Sequence, residues 1–232
     1  MRLHLARLTA LSVMILVGGC SRGPEKAPLE VEVAQAVGQK VAALRNRSEE
    51  VRPPPTRAQL DTVKSPYIEV TLERHDLLAY LRQEAVRRDG EPGQIVVWRT
   101  DDNVTLALRN GVLIATRGLG DDLLSASALV GNGASGPQRG GARSYHIRGL
   151  DNESRSLNLA CDLQDLGAET IEIIALSYAT RHLQQRCEGG EGAEAGVVVN
   201  DYWVDSVSGR LWQSRQWAGP TIGYLRIRQL TL

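Results

Sequence analysis

The sequence predicts a mainly β protein: an antiparallel β-barrel or curved β-sandwich of many short strands, with an N-terminal helix and short helical turns. Three observations carry this expectation. Apolar and polar residues alternate in short runs, most plainly Ile68, Val70 and Leu72 against Glu69, Thr71 and Glu73. Turn residues punctuate these runs, with Asn110-Gly111 the strongest signal because both central residues of its hairpin turn need φ > 0. The chain beyond its leader, just over two hundred residues, suffices for one sizeable core. It divides into a removable leader (1–19), a lipidated tether (20–28), a helical segment (29–64) and a single antiparallel β domain (65–232).

The leader places the chain outside the cytoplasm. Arg2 and Arg7 form a positive n-region, residues 8–17 a short apolar run, and Val17-Gly18-Gly19-Cys20 a cysteine after small residues. That ending has the layout of a bacterial lipobox, in which the cysteine thiol is diacylated and the preceding peptide removed. The apolar run is too short for a bilayer span, which needs about 20 residues. An ordinary leader with a chance cysteine is the alternative, but no A-x-A-like site competes nearby. Cys20 is therefore the expected lipidation site. Two or three acyl chains, at roughly 0.8 kcal/mol per buried CH₂, make a durable anchor. Ser21 stands where lipoproteins retained at the inner membrane usually carry Asp, which favours the outer membrane.

After the polar tether, Val33, Val37, Val41 and Leu44 mark one apolar face of a helix over 29–47. Its mixed charges suit packing on the parent domain or a partner better than a membrane surface. Pro53-Pro54-Pro55 stops it, Thr56 caps a short turn through Leu60, and Ser65-Pro66 opens the β region. Residues 75–88 fit a helix face through Leu77, Leu78, Leu81 and Ala85, or a strand. Strands are expected at 95–99, 104–109 and 112–116, the first two joined by Asp101-Asp102-Asn103. Residues 131–141 form a mobile Gly-rich loop. Further strands fall at 144–148, 154–161 and 170–186, with turns at Asp151-Asn152 and Leu166-Gly167. A flexible loop over 188–196 precedes three last strands at 197–204, 210–217 and 221–232.

Composition excludes more than it assigns. Formal charge is zero, and removing the leader leaves about two excess negative charges, so no broad field for nucleic acid exists. With Cys20 acylated, Cys161 and Cys187 remain, and an even pair in an exported chain favours a disulfide, worth about 3.5 kcal/mol in the chain-entropy model. Two cysteines without a C-x-x-C or histidine pair make a poor zinc site, so neither metal nor cofactor is expected.

Chemical motifs are sparse. Arg117-Gly118-Leu119-Gly120-Asp121-Asp122 lacks the third glycine and βαβ context of a dinucleotide loop. It reads as a tight turn in which Asp121 or Asp122 caps a short helical turn through Leu124. His75, His146 and His182 stand singly, and no hydrolase or metalloprotease signature occurs. Asp121, Asp122, Asp201 and Asp205 could supply a carboxylate pair for glycoside hydrolysis, but each sits where turns and caps place aspartate. No catalytic residue is assigned. Three tryptophans, Trp203, Trp212 and Trp217, crowd the C-terminal strands. Alternation puts Trp212, Ser214 and Gln216 on one face, a combination that suits glycan contact if it meets solvent. Filling a barrel interior is the competing use, and burial of at least two of the three tryptophans is expected.

These motifs together resemble the YjbF/GfcB-like group 4 capsule polysaccharide lipoprotein family. The resemblance runs from the lipobox to the C-terminus. It is most specific in Asn110-Gly111-Val112-Leu113, in Ala115-Thr116-Arg117-Gly118-Leu119-Gly120 followed by Asp122-Leu123, and in Tyr202-Trp203-Val204-Asp205 leading into Ser214-Arg215-Gln216-Trp217 and Gly219-Pro220. Cys161 and Cys187 fit it, and it favours a strand over 75–88; the N-terminal helix is less typical of it. The resemblance implies a periplasm-facing outer-membrane lipoprotein encoded with capsule or exopolysaccharide secretion genes, without known enzymatic activity. Its expected partners are the outer membrane, polysaccharide export proteins and the polysaccharide itself. Two other classes are kept: a carbohydrate-active enzyme using acidic residues near the tryptophans, and a lipid or glycolipid carrier with an apolar half-barrel.

Overall fold

The computed structural model describes residues 54–149, 153–189 and 196–232. The leader, Cys20, the helix expected over 29–47 and the Asp151-Asn152 turn lie outside them. Thr56 and Gln59 form a reciprocal capping box that opens helix α1 (Arg57–Asp61), and Leu60 turns its apolar side chain inward. Twelve strands follow: β1 (Tyr67–Leu72), β2 (Leu77–Arg87), β3 (Ile95–Arg99), β4 (Thr105–Arg109), β5 (Val112–Arg117), β6 (Leu123–Ala126), β7 (Gly141–Arg148), β8 (Ser154–Ile173), β9 (Leu176–Gly189), β10 (Gly196–Asp205), β11 (Leu211–Trp217) and β12 (Tyr224–Gln229). They form one antiparallel sheet in the order β5-β4-β3-β2-β1-β12-β11-β10-β9-β8-β7-β6. The sheet curls into a nearly closed barrel. Its interior is apolar, with Ile68, Leu81, Leu106, Leu113, Leu123 and Leu225 at 2% exposure or less. Each such side chain contributes roughly 1.5–3 kcal/mol through burial.

The ambiguous 75–88 segment is a strand. Glu73–His75 makes one 3₁₀ turn, Asp76 adopts φ 50°, and β2 begins at Leu77. Asn110-Gly111 joins β4 to β5 with φ 45° and 83°, as its hairpin turn requires. Cys161 and Cys187 face each other across β8 and β9 and are disulfide-bonded, with Cα atoms 3.9 Å apart.

Three expectations need correction. Leu166-Gly167 is not a turn: β8 runs on through a bulge between Asp165 and Gly167, and the hairpin turns instead at Ile174-Ala175. Those two residues take φ 44° and 64°, strained for non-glycine residues, and half-buried Ile174 offsets the cost by packing against the apolar cluster that includes Leu60, Ile171 and Ile173. The 117–124 segment forms no helical turn, because Leu123 already starts β6. Asp122 instead gathers the loop, accepting from Gly118 N, Leu119 N and Thr116 Oγ1 at 2.9–3.1 Å. The Gly-rich loop is tied down rather than loose: Asn132 Oδ1 accepts from Gly93 N, Ser135 N donates to Gly209 O, and Gly136 N donates to Asn110 O, all at 2.7–3.0 Å.

Side chains close the barrel where the edge strands β5 and β6 meet. The carbonyl of Gly111 and both backbone groups of Leu113 face across the barrel rather than into the sheet. Gln216 Oε1 accepts from Leu113 N at 2.8 Å, and Gln216 Nε2 donates to Gly111 O at 2.8 Å. Arg143, 2% exposed, donates to Leu113 O (3.0 Å), Ser127 O (3.1 Å) and Gln185 Oε1 (2.7 Å), and its guanidinium lies 4.7 Å from the Tyr145 ring centroid. Further along the seam, Arg117 donates to the carbonyls of Leu123 and Leu124. Edge-strand groups that would otherwise be buried and unpaired are thus satisfied.

Candidate functional site

The β10–β11 turn organises the site. Asp205 Oδ1 accepts from Val207 N, Ser208 N and Ser208 Oγ at 2.7–3.0 Å, and Oδ2 accepts from Trp212 Nε1 at 2.9 Å. The bonds from Ser208 and Trp212 hold the Asp205 carboxyl well below the usual carboxylate range. Trp203 stands opposite Gln213 and Val204 opposite Leu211, so Trp212 is the extra residue of a bulge. The bulge breaks the alternation. Leu211 packs inward with Val112, Tyr202 and Val204. Trp212 packs with Trp203 on the outer face, stacked on Tyr178 with ring centroids 3.9 Å apart.

The expected solvent-facing trio of Trp212, Ser214 and Gln216 therefore does not exist as a surface. Ser214 and Gln216 are 1% and 0% exposed, and Trp212 is 9% exposed. Gln216 is fully occupied: besides its bonds to β5 it accepts from Tyr202 Oη (3.1 Å) and donates to Ser214 Oγ (2.9 Å). Only Trp212 of the three C-terminal tryptophans is buried outright; Trp203 and Trp217 are half-buried.

Two members of the trio nonetheless border a larger feature. Where the Asn110-Gly111 and β10–β11 turns meet, the barrel opens into a cleft of about 450 Å³. Its floor is apolar (Ile68, Val96, Trp98, Leu108, Ile227), and Trp212 borders it from the outer face. Amides from five positions surround it: Gln83, Gln94, Asn110, Gln213 and Gln229, with Ser135 and Ser214 adding hydroxyls. Among the described residues, Gln83 and Gln213 have no partner for their side-chain amides, leaving donors and acceptors for a ligand. Arg210 is the charged residue of the lining, which contains no Asp, Glu or His. Such a wall can bond hydroxyls through neutral groups, but it offers no carboxylate pair for glycoside hydrolysis.

The acidic residues singled out in the sequence are dispersed. Asp121 accepts from Thr221 Oγ1 at 2.6 Å, Asp122 closes its own loop, and Asp205 organises the β10–β11 turn. Asp201 belongs to a constellation the sequence did not reveal: His182 has Asp201 Oδ1 and Glu169 Oε2 each 2.9 Å from a ring nitrogen. Its ring stacks on Trp203 with centroids 4.5 Å apart, and Gln184 also donates to Asp201. No metal-holding group of three or more His, Cys, Asp or Glu occurs among the described residues.

An apolar void lined by Val70, Leu72, Leu77 and Leu119 measures about 40 Å³. Ligand pockets span roughly 300–1,000 Å³, so this void does not suit a lipid carrier, whereas the amide-lined cleft falls within the range. Among the described residues no helix is long and apolar enough to cross a membrane.

Comparison with known proteins agrees with this architecture. The profile of the family described as "Group 4 capsule polysaccharide lipoprotein gfcB, YjbF" matches residues 39–230. The crystal structure of the hypothetical lipoprotein YmcC from Escherichia coli (K12) is 20% identical, with a TM-score of 0.63 over 81% of this chain and 94% of that one. It shares the fold. A lipoprotein structure from Parabacteroides distasonis ATCC 8503 is 12% identical, with a TM-score of 0.37 over 73% of this chain and 95% of that one. An exported protein with a YmcC-like fold from Bacteroides fragilis NCTC 9343 is 10% identical, with a TM-score of 0.36 over 72% and 93% of the two chains. A search of curated protein sequences returned no significant match.

Proposed function

The chain belongs to the group 4 capsule polysaccharide lipoprotein family, and from that premise we propose that it is a non-enzymatic outer-membrane lipoprotein that assists assembly or export of capsule or exopolysaccharide. Cys20 carries the acyl anchor, the β domain faces the periplasm, and the cleft beside Trp212 contacts the polymer. The observation that carries the reading is the cleft's lining. Neutral amides and hydroxyls suit reversible contact with a hydroxyl-rich chain, and no Asp or Glu side chain stands there to cut it. Polysaccharide export proteins are the proposed protein partners.

The test is genetic and uses the full-length chain. Deleting the gene lowers secreted or surface polysaccharide, and the wild-type chain restores it. Gln83→Ala with Gln213→Ala removes two unpartnered amides from the cleft without touching the seam, so the variant accumulates normally but restores export poorly. Full export by the double variant rejects the cleft as the contact site. Unchanged export in the deletion strain, with the operon expressed, rejects the role itself.

A further inference from the structure

We infer that the cleft is selective for acidic saccharides, and that Arg210 is the residue that reads their carboxylate; this deepens the proposed glycan contact and rests on it. Three arginines on neighbouring elements are neutralised by carboxylates. Arg215 is bidentate with Glu73, Arg228 meets Glu69, and Arg109 meets Asp89 with both of its terminal nitrogens. Arg210 meets no carboxylate among the described residues. The acid nearest to it in sequence, Asp205, spends both oxygens on Val207, Ser208 and Trp212.

The guanidinium is nevertheless placed. Its Cζ lies 5.4 Å from the Trp212 ring centroid, and that indole is itself held by Tyr178 and Asp205. Trp212 thus has a different task from the sugar stacking expected of it: with one neighbour stacked on it, it serves as the platform for a cation. A planar guanidinium on a fixed support presents parallel N–H donors that match a carboxylate, and Arg210 is the one charged side chain among the residues that line the cleft. The resulting positive potential concentrates an anionic chain, while the unpartnered amides of Gln83 and Gln213 remain for hydroxyls.

The experiment uses oligosaccharides from the secreted polysaccharide of the producing strain, both native and after reduction of their carboxyl groups to primary alcohols. Binding to the acylated chain in detergent is measured by calorimetry at low and high salt. The wild type binds the native fragments, binds the reduced ones at least tenfold more weakly, and loses affinity as salt rises. Arg210→Gln loses at least tenfold on native fragments only, with unchanged thermal unfolding because the side chain is exposed; Arg210→Lys falls between. Equal binding of native and reduced fragments, or undiminished binding by Arg210→Gln, overturns the acidic selectivity while leaving the glycan contact standing. No binding of either fragment by the wild type removes the glycan contact and the selectivity with it.

Discussion

Replacing Gln216 by Leu tests whether side chains close the barrel. Leucine keeps an apolar bulk at the position but cannot bond, so the substitution isolates the hydrogen bonds from a simple cavity. Four groups lose their Gln216 partner inside the barrel: Leu113 N–H, Gly111 C=O, Tyr202 O–H and Ser214 Oγ. A buried unsatisfied group costs roughly 1–3 kcal/mol, and the added apolar burial returns a little. The expected loss is therefore roughly 3–5 kcal/mol, a large share of the 5–15 kcal/mol that typically holds a domain. Urea unfolding followed by far-UV circular dichroism measures the loss, and hydrogen exchange at the Leu113 amide localises it. Tyr202→Phe removes one of these bonds alone and should cost about 1 kcal/mol. A loss below about 1 kcal/mol for Gln216→Leu, with Leu113 as well protected as before, would refute the seam.

Four further outcomes are expected. Gly111→Val should destabilise the fold in thermal melts, since φ is 83° and an added Cβ would lie 2.5 Å from Leu211 Cδ2. Trp212→Ala should cost about 3–5 kcal/mol in chemical denaturation by removing the stack on Tyr178 and the bond to Asp205. Asp205 has its folded-state pKa lowered, so its stabilisation is complete above the unfolded value of about 3.9 and fades as pH falls through the folded one. The stability gap between wild type and Asp205→Asn should therefore be widest near neutrality and narrow in acid titrations below about pH 4. Cys20→Ala should leave an unprocessed or soluble chain in membrane fractionation; retention with the outer membrane after a high-salt wash would disprove the anchor.

Local chemistry made much of the fold legible. Alternation marked β1 and β4, whose apolar residues join the core, and Asn110-Gly111 marked its hairpin because few residue pairs tolerate two positive φ values. Cys161 and Cys187 could be paired by elimination in an exported chain. The turn at Ile174-Ala175 carried no such signal. Packing of half-buried Ile174 against the cluster that contains Leu60 overrode its turn propensity, so the preference draws on a part of the chain more than a hundred residues away.

The candidate site shows the same division. Trp212 and Ser214 were recognisable as a pairing of aromatic and polar groups, but alternation assigned Trp212 to the wrong face because nothing in Leu211-Trp212-Gln213 announces a bulge. Gln216 looked like a ligand contact and instead bonds Gly111 and Leu113, 105 and 103 residues away. Gln83 and Gln94 drew no attention, since single amides in strands have no motif; curling β2 and β3 round to face β11 makes them one wall. Sequence by itself determined strands such as β1, β3 and β4, the Asn110-Gly111 turn, the cysteine pair and the lipobox pattern, because each depends on neighbouring residues or residue type. Tertiary structure alone decided which polar groups seal the barrel and which face the cleft, because strand order and one inserted residue set the direction of every side chain.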